Sequence, residues 1–201
     1  ASPHAGKDPI LLGSQIVVAL QTLVSRELAP REPGVVTVGS FHSGTKHNII
    51  SDRAVLQLTV RNTNLETRDT LLKGIKRIAE NLGRAAGLPE DQLPEVILTK
   101  SSTPPTINNA PLVRRLKAVW QAGLGERQVV SISSKGMGAE DFPYFTTEPP
   151  IPSVYFSVGG TSAADYKAAA AGGPPIASHH SPLFTIDPQP AVTRGVQATV
   201  L

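Results

Sequence analysis

Apolar residues recur at helical spacing in the first thirty residues of the chain. Asp8 suits the N-cap of a helix and Pro9 suits its first position. The pattern predicts an amphipathic helix from Asp8 to Leu28, whose apolar positions are Ile10, Leu11, Val17, Val18, Leu20, Leu23 and Val24.

Two runs rich in β-branched residues follow this helix. They are Gly34 to Phe41 (GVVTVGSF) and Ala54 to Val60 (AVLQLTV). The second run alternates Val55, Gln57 and Thr59 with Leu56, Leu58 and Val60. Such alternation is typical of a strand with one buried face, so the runs predict two antiparallel neighbours.

A second helix and a third strand complete the first half of the chain. Helical periodicity returns between Leu65 and Leu82, with Asn64 or Thr67 as its cap, and Glu95 to Lys100 (EVILTK) has the character of a short strand. The order becomes β-α-β-β-α-β if one strand precedes residue 1. It predicts a ferredoxin-like domain with a four-stranded antiparallel sheet.

The pattern changes after Ser101 to Pro111 (SSTPPTINNAP), a composition typical of a linker. We therefore divide the chain into residues 1–105 and residues 106–201. Strands alternate with helices in the second part, which predicts part of an α/β domain, too small for a complete sheet domain. Its predicted elements are Leu112 to Ala122 (helix), Gln128 to Ile132 (strand), Asp141 to Phe145 (helical turn), Ile151 to Val158 (buried strand) and Pro188 to Leu201 (helix).

A long segment rich in alanine and glycine interrupts the second part. From Gly159 to Ser178 the sequence is GGTSAADYKAAAAGGPPIAS. It predicts a loop of about twenty residues, a length that is uncommon unless the loop is functional or mobile. A flexible insertion and an active-site loop are equally good interpretations, since the segment leads directly to two histidines.

Composition narrows the function classes. The chain is 40% hydrophobic with a net charge of +3 and contains no run of like charges, which argues against nucleic acid binding. It has no cysteine, so this chain has no disulfide, catalytic thiol or thiolate metal ligand. The chain contains no stretch of eighteen apolar residues, the length that predicts a membrane span. We expect a soluble protein, cytoplasmic or exported, and a missing initiator Met suggests a piece of a longer chain.

Three short motifs contain candidate catalytic, substrate-binding or metal-binding residues. The first is His4 in the loop SPHAGKDP, for which an exposed loop histidine is the simpler alternative. The second is the turn SKGMGAEDF with Gly138, Glu140 and Asp141, for which helix capping is the alternative. The third is SHHSP, in which a neutral imidazole suits a catalytic zinc ion. Nucleotide-binding and serine-hydrolase motifs are absent from the sequence.

In their order and spacing these segments resemble the aminoacylase, hippurate hydrolase and indole-acetyl-amino-acid hydrolase branch of the dinuclear zinc peptidases. The resemblance extends over essentially the whole chain. It rests on SPHAGKDPI, SQIVVALQTLVSRE, VVTVGSFHSGTKHNIISDRAVLQLTVR, KGMGAEDFPYF and HHSPLFTID. It implies a lid and dimerisation domain followed by the C-terminal portion of an α/β catalytic domain.

The resemblance also implies roles for individual residues. His4 corresponds to the lid histidine that stabilises the oxyanion in the neighbouring subunit, and Asn48 and Arg61 to the lid residues that hold the substrate carboxylate. Gly138 and Glu140 correspond to the turn lining the substrate pocket. His180 corresponds to the last metal ligand, with His179 as a bystander or supporting residue.

The implied enzyme is a homodimer that hydrolyses the amide bond of N-acyl amino acids or related small amides and peptides. Its cofactor is two divalent metal ions, zinc in the first place and Mn, Co or Ni as alternatives, with most ligands and the general base outside this chain. The chain alone is then expected to be inactive. The competing hypothesis is a non-catalytic dimerisation or binding module with the same lid fold.

Overall fold

The computed structural model describes residues 2–99, 102–131 and 136–201. The chain forms two compact units. The first consists of Ala1–Ile107 and Lys135–Ile151, and the second of Asn108–Ser134 and Pro152–Leu201. The described segment 136–151 therefore packs with the N-terminal unit, although it lies far along the chain.

The first helix, α1, spans Pro9–Thr22 and continues as a π-turn over Leu23–Glu27. Asp8 caps it as predicted, because its Oδ1 accepts hydrogen bonds from the backbone N–H groups of Ile10 (2.8 Å) and Leu11 (3.2 Å). Among the described residues, Pro9–Glu27 is the one helical stretch with the length and apolar composition of a membrane span. Since Leu23 is fully buried, this stretch supplies part of the protein core.

A β-hairpin follows, formed by β1 (Gly34–Ser43) and β2 (Ala54–Asn62). The strands are antiparallel, as predicted, with Val35 opposite Arg61 and Ser43 opposite Ala54. Gly39 is an extra residue in β1, so the pairing shifts by one position after it. Beyond the bulge the Phe41 ring lies against α1, where a methyl group added to Gly13 would collide with it.

Helix α2 spans Leu65–Ala85, and Asn64 caps it by accepting a 2.7 Å hydrogen bond from the Thr67 N–H. Both helices cover one face of the hairpin. Burying a leucine side chain of this kind contributes about 1.5–3 kcal/mol. The core lies between the helices and the hairpin and consists of Ile16, Leu20, Leu23, Val36, Leu71, Ile75 and Ala79.

The predicted four-stranded sheet is wrong for the residues that the structure describes. Their sheet has two strands, β1 and β2. Residues 94–99 form no ladder, and Ile97 and Leu98 are 75% and 57% exposed. A strand exists only with a hydrogen-bonded neighbour, and no described residue pairs with this segment. Lys100, at its end, lies outside the described residues.

The second unit is built on α3 (Ala110–Leu124) and α5 (Pro188–Val200), both of which the sequence predicts. The Trp120 indole N–H donates to the Ala198 carbonyl (2.8 Å), and the Trp120 ring lies 4.9 Å from that of Phe156. Helices α3 and α5 are thereby joined, and the extended segment 152–158 lies against α3.

The predicted buried strand Ile151 to Val158 is not a strand in the structure. Its apolar residues are partly exposed, with Ile151 at 51% and Phe156 at 40%. The Asn108 side chain takes the place of a neighbouring strand, donating to the Tyr155 carbonyl (2.9 Å) and accepting from its N–H (2.7 Å). Other ladder partners are not among the described residues.

Two further predictions in this part are wrong. Gln128, the first residue of the predicted strand, ends a 3₁₀ turn (Glu126–Gln128). Residues 129–131 form no ladder, and Ile132 lies outside the described residues. The predicted loop contains a helix, α4 (Ala163–Ala170), whose N-cap is Ser162. The Ser162 hydroxyl accepts from the Asp165 N–H (3.1 Å). Five of the eight helix residues are alanine, the residue with the highest helix propensity.

Candidate functional site

His4 lies in a single 3₁₀ turn, Pro3–Ala5, ahead of helix α1. The turn is closed by a 3.0 Å hydrogen bond from the Ala5 N–H to the Ser2 carbonyl. Proline restricts the backbone within the turn, and the Asp8 cap holds the chain where it enters the helix. The His4 side chain is exposed and available to a reacting group.

Asn48 lies in residues 44–53, the loop that joins the two strands and that we call the hairpin tip. The hairpin tip packs against the start of α1. A methyl group added to Gly6 would lie 3.9 Å from Cδ1 of Ile50, and one added to Gly44 would lie 3.7 Å from Cδ1 of Ile10. The structure therefore brings the His4 turn and the Asn48 loop to the same end of the first unit.

Arg61 lies at the other end of the hairpin. It pairs with Val35, whereas the hairpin tip begins after the pair of Ser43 and Ala54. Seven residue steps along a strand correspond to about 23 Å. The structure therefore does not bring Arg61 together with Asn48 in one copy of the chain.

The Arg61 guanidinium projects from the exposed face of β2. Its Nη1 donates a 2.6 Å hydrogen bond to the backbone carbonyl of Met137. Among the described residues it has no carboxylate partner within ion-pair distance. A guanidinium has further N–H donors in a planar fork, a geometry suited to a carboxylate.

The turn that contains Gly138 and Glu140 follows directly after Met137. A methyl group added to Gly138 would have no atom within 4 Å, so the turn has open space beside it. The Glu140 carboxylate accepts a 2.9 Å hydrogen bond from the Asp141 N–H, and a 3₁₀ turn, Phe142–Phe145, begins after Asp141. The predicted helical turn is confirmed. Ser134 and Lys135, which begin the motif SKGMGAEDF, lie outside the described residues.

Sequence reasoning missed Met137 as a partner of Arg61. The acceptor is a backbone carbonyl, which every residue carries, so no residue type signals it. The position of segment 136–151 in the first unit results from packing between distant parts of the chain, which a local sequence pattern does not indicate.

His180 occupies a tight turn in the second unit. The turn is closed by a 3.2 Å hydrogen bond from the Ser181 N–H to the Ser178 carbonyl, with His179 and His180 at its centre. His180 has a φ of 67°, and it is the one residue other than glycine with a positive φ in the described part of the chain. A left-handed residue at the third turn position is characteristic of type II turns.

The two histidines have different surroundings. The His179 ring stacks on Phe184, with ring centroids 5.0 Å apart and planes 25° apart. No described residue forms a hydrogen bond, ion pair or ring contact with the exposed His180 imidazole. His180 is therefore the histidine whose nitrogen atoms remain available to a ligand.

This arrangement fits one part of a metal site. An exposed neutral imidazole on a closed turn is a good nitrogen ligand for zinc. The described residues contain no group of three or more His, Cys, Asp or Glu side chains that could hold an ion. His180 therefore fits as a single ligand, and a metal centre here would need ligands from beyond those residues.

The first unit belongs to a known class of domain. Residues 1–86 match the family model M20_dimer, the peptidase dimerisation domain. The chain is 31% identical over 159 residues to N-acetyldiaminopimelate deacetylase of Streptococcus thermophilus, covering 79% of this chain and 40% of that protein. It is 32% identical over 146 residues to hippurate hydrolase of Campylobacter jejuni, covering 72% and 37% respectively.

A solved structure is similar over nearly the entire chain. It is the Bacillus subtilis protein YXEP, a dinuclear metal binding peptidase from the M20 family, with a TM-score of 0.64 and 25% identity. The match covers 96% of this chain and 44% of that one. Residues 1–86 thus carry the dimerisation domain of this peptidase family, and the chain as a whole is similar to its peptidases and amidohydrolases. It spans about two-fifths of the length of the curated relatives named above.

Proposed function

We propose that the protein containing this chain is a metal-dependent amidohydrolase that cleaves N-acyl amino acids to an acid and a free amino acid. Its relatives include deacetylases and hydrolases of such compounds, which supports the substrate class. We assign residues 1–105 to the lid and dimerisation domain and residues 106–201 to the catalytic domain.

The observation that carries this proposal is the separation along the hairpin. The His4 turn and the hairpin tip are at one end of β2, and Arg61 is at the other, about 23 Å of strand away. A small N-acyl amino acid cannot span that distance. The two groups therefore belong to different active sites, which requires a second copy of the chain and a homodimer.

Each site then combines residues from two subunits. His4 of one subunit donates a hydrogen bond to the oxyanion that develops on the amide carbonyl in its neighbour's site. Asn48 accompanies it, since both lie at the hairpin tip. Arg61 binds the substrate carboxylate in the site of its own subunit, where the open turn with Gly138 and Glu140 lines the pocket.

The metal site is completed by residues outside this chain. We propose two divalent ions, zinc in the first place, with His180 as one imidazole ligand. When bound, such ions supply activation of water and polarisation of the amide carbonyl. The general base is also assigned outside this chain. His180 contributes a nitrogen atom on a closed turn, which limits the loss of entropy on coordination.

Mixed dimers test the proposal. We would express the full-length protein as two variants, His4→Ala and Arg61→Ala, with different affinity tags, and purify the heterodimer through both tags. One of its two sites would contain both intact residues, and the other would contain neither. Hydrolysis of an N-acyl amino acid should recover to roughly half of the wild-type rate, while both homodimers stay nearly inactive.

An inactive heterodimer would contradict the shared site, because it would mean that His4 and Arg61 act within one subunit. A wild-type protein that binds no zinc and hydrolyses no N-acyl amino acid would instead favour the non-catalytic dimerisation module. A heterodimer of wild-type protein with the double variant serves as the matched control. Each of its sites lacks one of the two residues, so it should be nearly inactive.

A further inference from the structure

The two histidines and Phe184 lie in consecutive tight turns. The Ser181 N–H donates to the Ser178 carbonyl in the first turn (3.2 Å), and the Phe184 N–H donates to the Ser181 carbonyl in the second (3.0 Å). The Ser181 hydroxyl also accepts from the Leu183 N–H (3.2 Å). Ser181 thus takes part in the hydrogen bonds of both turns, and we call it the junction.

The rings of His179 and Phe184 stack on each other and link the two turns. Phe184 follows the junction, yet its ring returns to lie 5.0 Å from the His179 ring, with an interplanar angle of 25°. The Ser178 hydroxyl donates to the His179 carbonyl (3.2 Å), so the peptide between the two histidines is also held. The residue before His180 is therefore restrained at its ring and at its backbone.

His180 itself needs such restraint. With a φ of 67° its backbone is in the left-handed region, which costs free energy for a residue that carries a Cβ. Without support the turn can relax to a conformation with negative φ, and the His180 side chain would then point elsewhere. A metal ligand must keep one direction to bind tightly.

We propose that His179 and Phe184 are positioning residues for His180. Their stacked rings hold the first central residue of the turn, and so keep His180 left-handed with its imidazole outside the stack. Neither ring touches the metal. The inference rests on the proposed role of His180 as a metal ligand.

Zinc affinity of the full-length protein tests this role. Metal-free protein would be titrated with zinc against a chromophoric chelator. We expect Phe184→Ala and His179→Ala each to weaken zinc binding roughly ten-fold without changing the number of ions bound, as is usual for residues that orient a metal ligand. Because the two rings act together, the double variant should be no weaker than either single variant.

Two matched variants separate stacking from general damage. Phe184→Tyr keeps an aromatic ring in place and should retain wild-type affinity. Leu183→Ala changes a neighbouring side chain that is 77% exposed, and it should have no effect. Wild-type zinc affinity in Phe184→Ala would overturn the inference, and so would additive losses in the double variant.

The variant His180→Ala distinguishes a failure of the positioning role from a failure of the proposed function. It should lower the number of zinc ions bound, which the positioning variants do not. If His180→Ala keeps full zinc content, the assignment of the ligand is wrong and the positioning role falls with it. If His180→Ala loses zinc while His179→Ala and Phe184→Ala bind it normally, the ligand assignment stands and the positioning role alone is wrong.

Discussion

Nη1 of Arg61 lies 2.6 Å from the carbonyl oxygen of Met137, a residue 76 positions further along the chain. The bond ties the end of β2 to the turn that contains Gly138 and Glu140. It uses one N–H of the guanidinium and a neutral acceptor, so the positive charge of Arg61 is not neutralised by it. This combination favours binding of an anionic group beside the turn.

Arg61→Ala should therefore reduce kcat/KM on N-acyl amino acids by roughly 30-fold or more. The loss should be much smaller on an N-acyl amino amide, which offers no carboxylate. Arg61→Lys keeps the charge but not the planar fork, so its kcat/KM on N-acyl amino acids should fall between those of wild type and Arg61→Ala. Equal losses on both substrates in Arg61→Ala, at an unchanged melting temperature, would show that Arg61 does not bind the carboxylate.

Gly74 is expected to be essential to the packing of α1 on α2. A methyl group at this position would collide with Cδ2 of Leu23, a side chain that is fully buried in the core. Gly74→Ala should lower the free energy of unfolding by about 1–3 kcal/mol, despite the better helix propensity of alanine. Urea denaturation would measure it.

Two controls accompany this variant. Lys73→Ala changes the preceding exposed position and should alter stability by less than about 0.5 kcal/mol. Adding Leu23→Ala to Gly74→Ala should cost less than the sum of the single changes, because the collision disappears. Strict additivity would rule out the contact as the cause.

The left-handed conformation of His180 predicts an unusual order of stability. In metal-free protein, His180→Gly should be more stable than His180→Ala by about 1 kcal/mol, because glycine adopts positive φ without strain. At His179, whose φ is not positive, alanine should be the more stable replacement. The same order at both positions, measured by urea denaturation, would contradict the left-handed turn.

The ion pair of Arg84 and Glu90 predicts a pH effect. The Arg84 guanidinium donates to both carboxylate oxygens of Glu90, at 2.8 and 3.0 Å. These hydrogen bonds lower the pKa of Glu90 and raise that of Arg84. The stabilisation is present above the ordinary pKa of glutamate and is lost as pH falls through the lowered pKa.

Arg84→Gln should accordingly raise the pKa of Glu90 towards its ordinary value, as followed by NMR titration of the carboxylate carbon. Lys73→Gln is the control, since Lys73 pairs with Asp69 and neither residue is paired with Arg84 or Glu90. A Glu90 pKa that is the same in Arg84→Gln and in wild type would exclude the hydrogen bonds as the cause.

Local signals predicted the helices well. Asp8 and Asn64 cap α1 and α2 as expected, because a cap depends on side chains within three residues of the helix start. Helix α4 was missed although its signal was present. Ser162 and Asp165 form a cap, and the alanine run favours a helix, but the flanking glycine pairs suggested a loop.

Strands were harder to predict, because a strand depends on a neighbour that is distant in sequence. Apolar character indicated burial at Ile151 to Val158, whereas the described residues provide only the side chain of Asn108 as a partner. The candidate site shows the same limit. The family resemblance pointed to Arg61 and His180, but only the structure gives the backbone carbonyl beside Arg61 and the tight turn that contains His180.

The hairpin has a consequence for insertions and deletions in this lid. If it acts as the spacer between two groups that serve different active sites, its length fixes the span of the dimer. Removing one residue from β2 would move Arg61 to the opposite face of the strand, since side chains alternate. Removing a residue pair from each strand would keep the faces but shorten the span by about 7 Å. Viable changes in the length of this hairpin should therefore come in even steps, matched between its two strands.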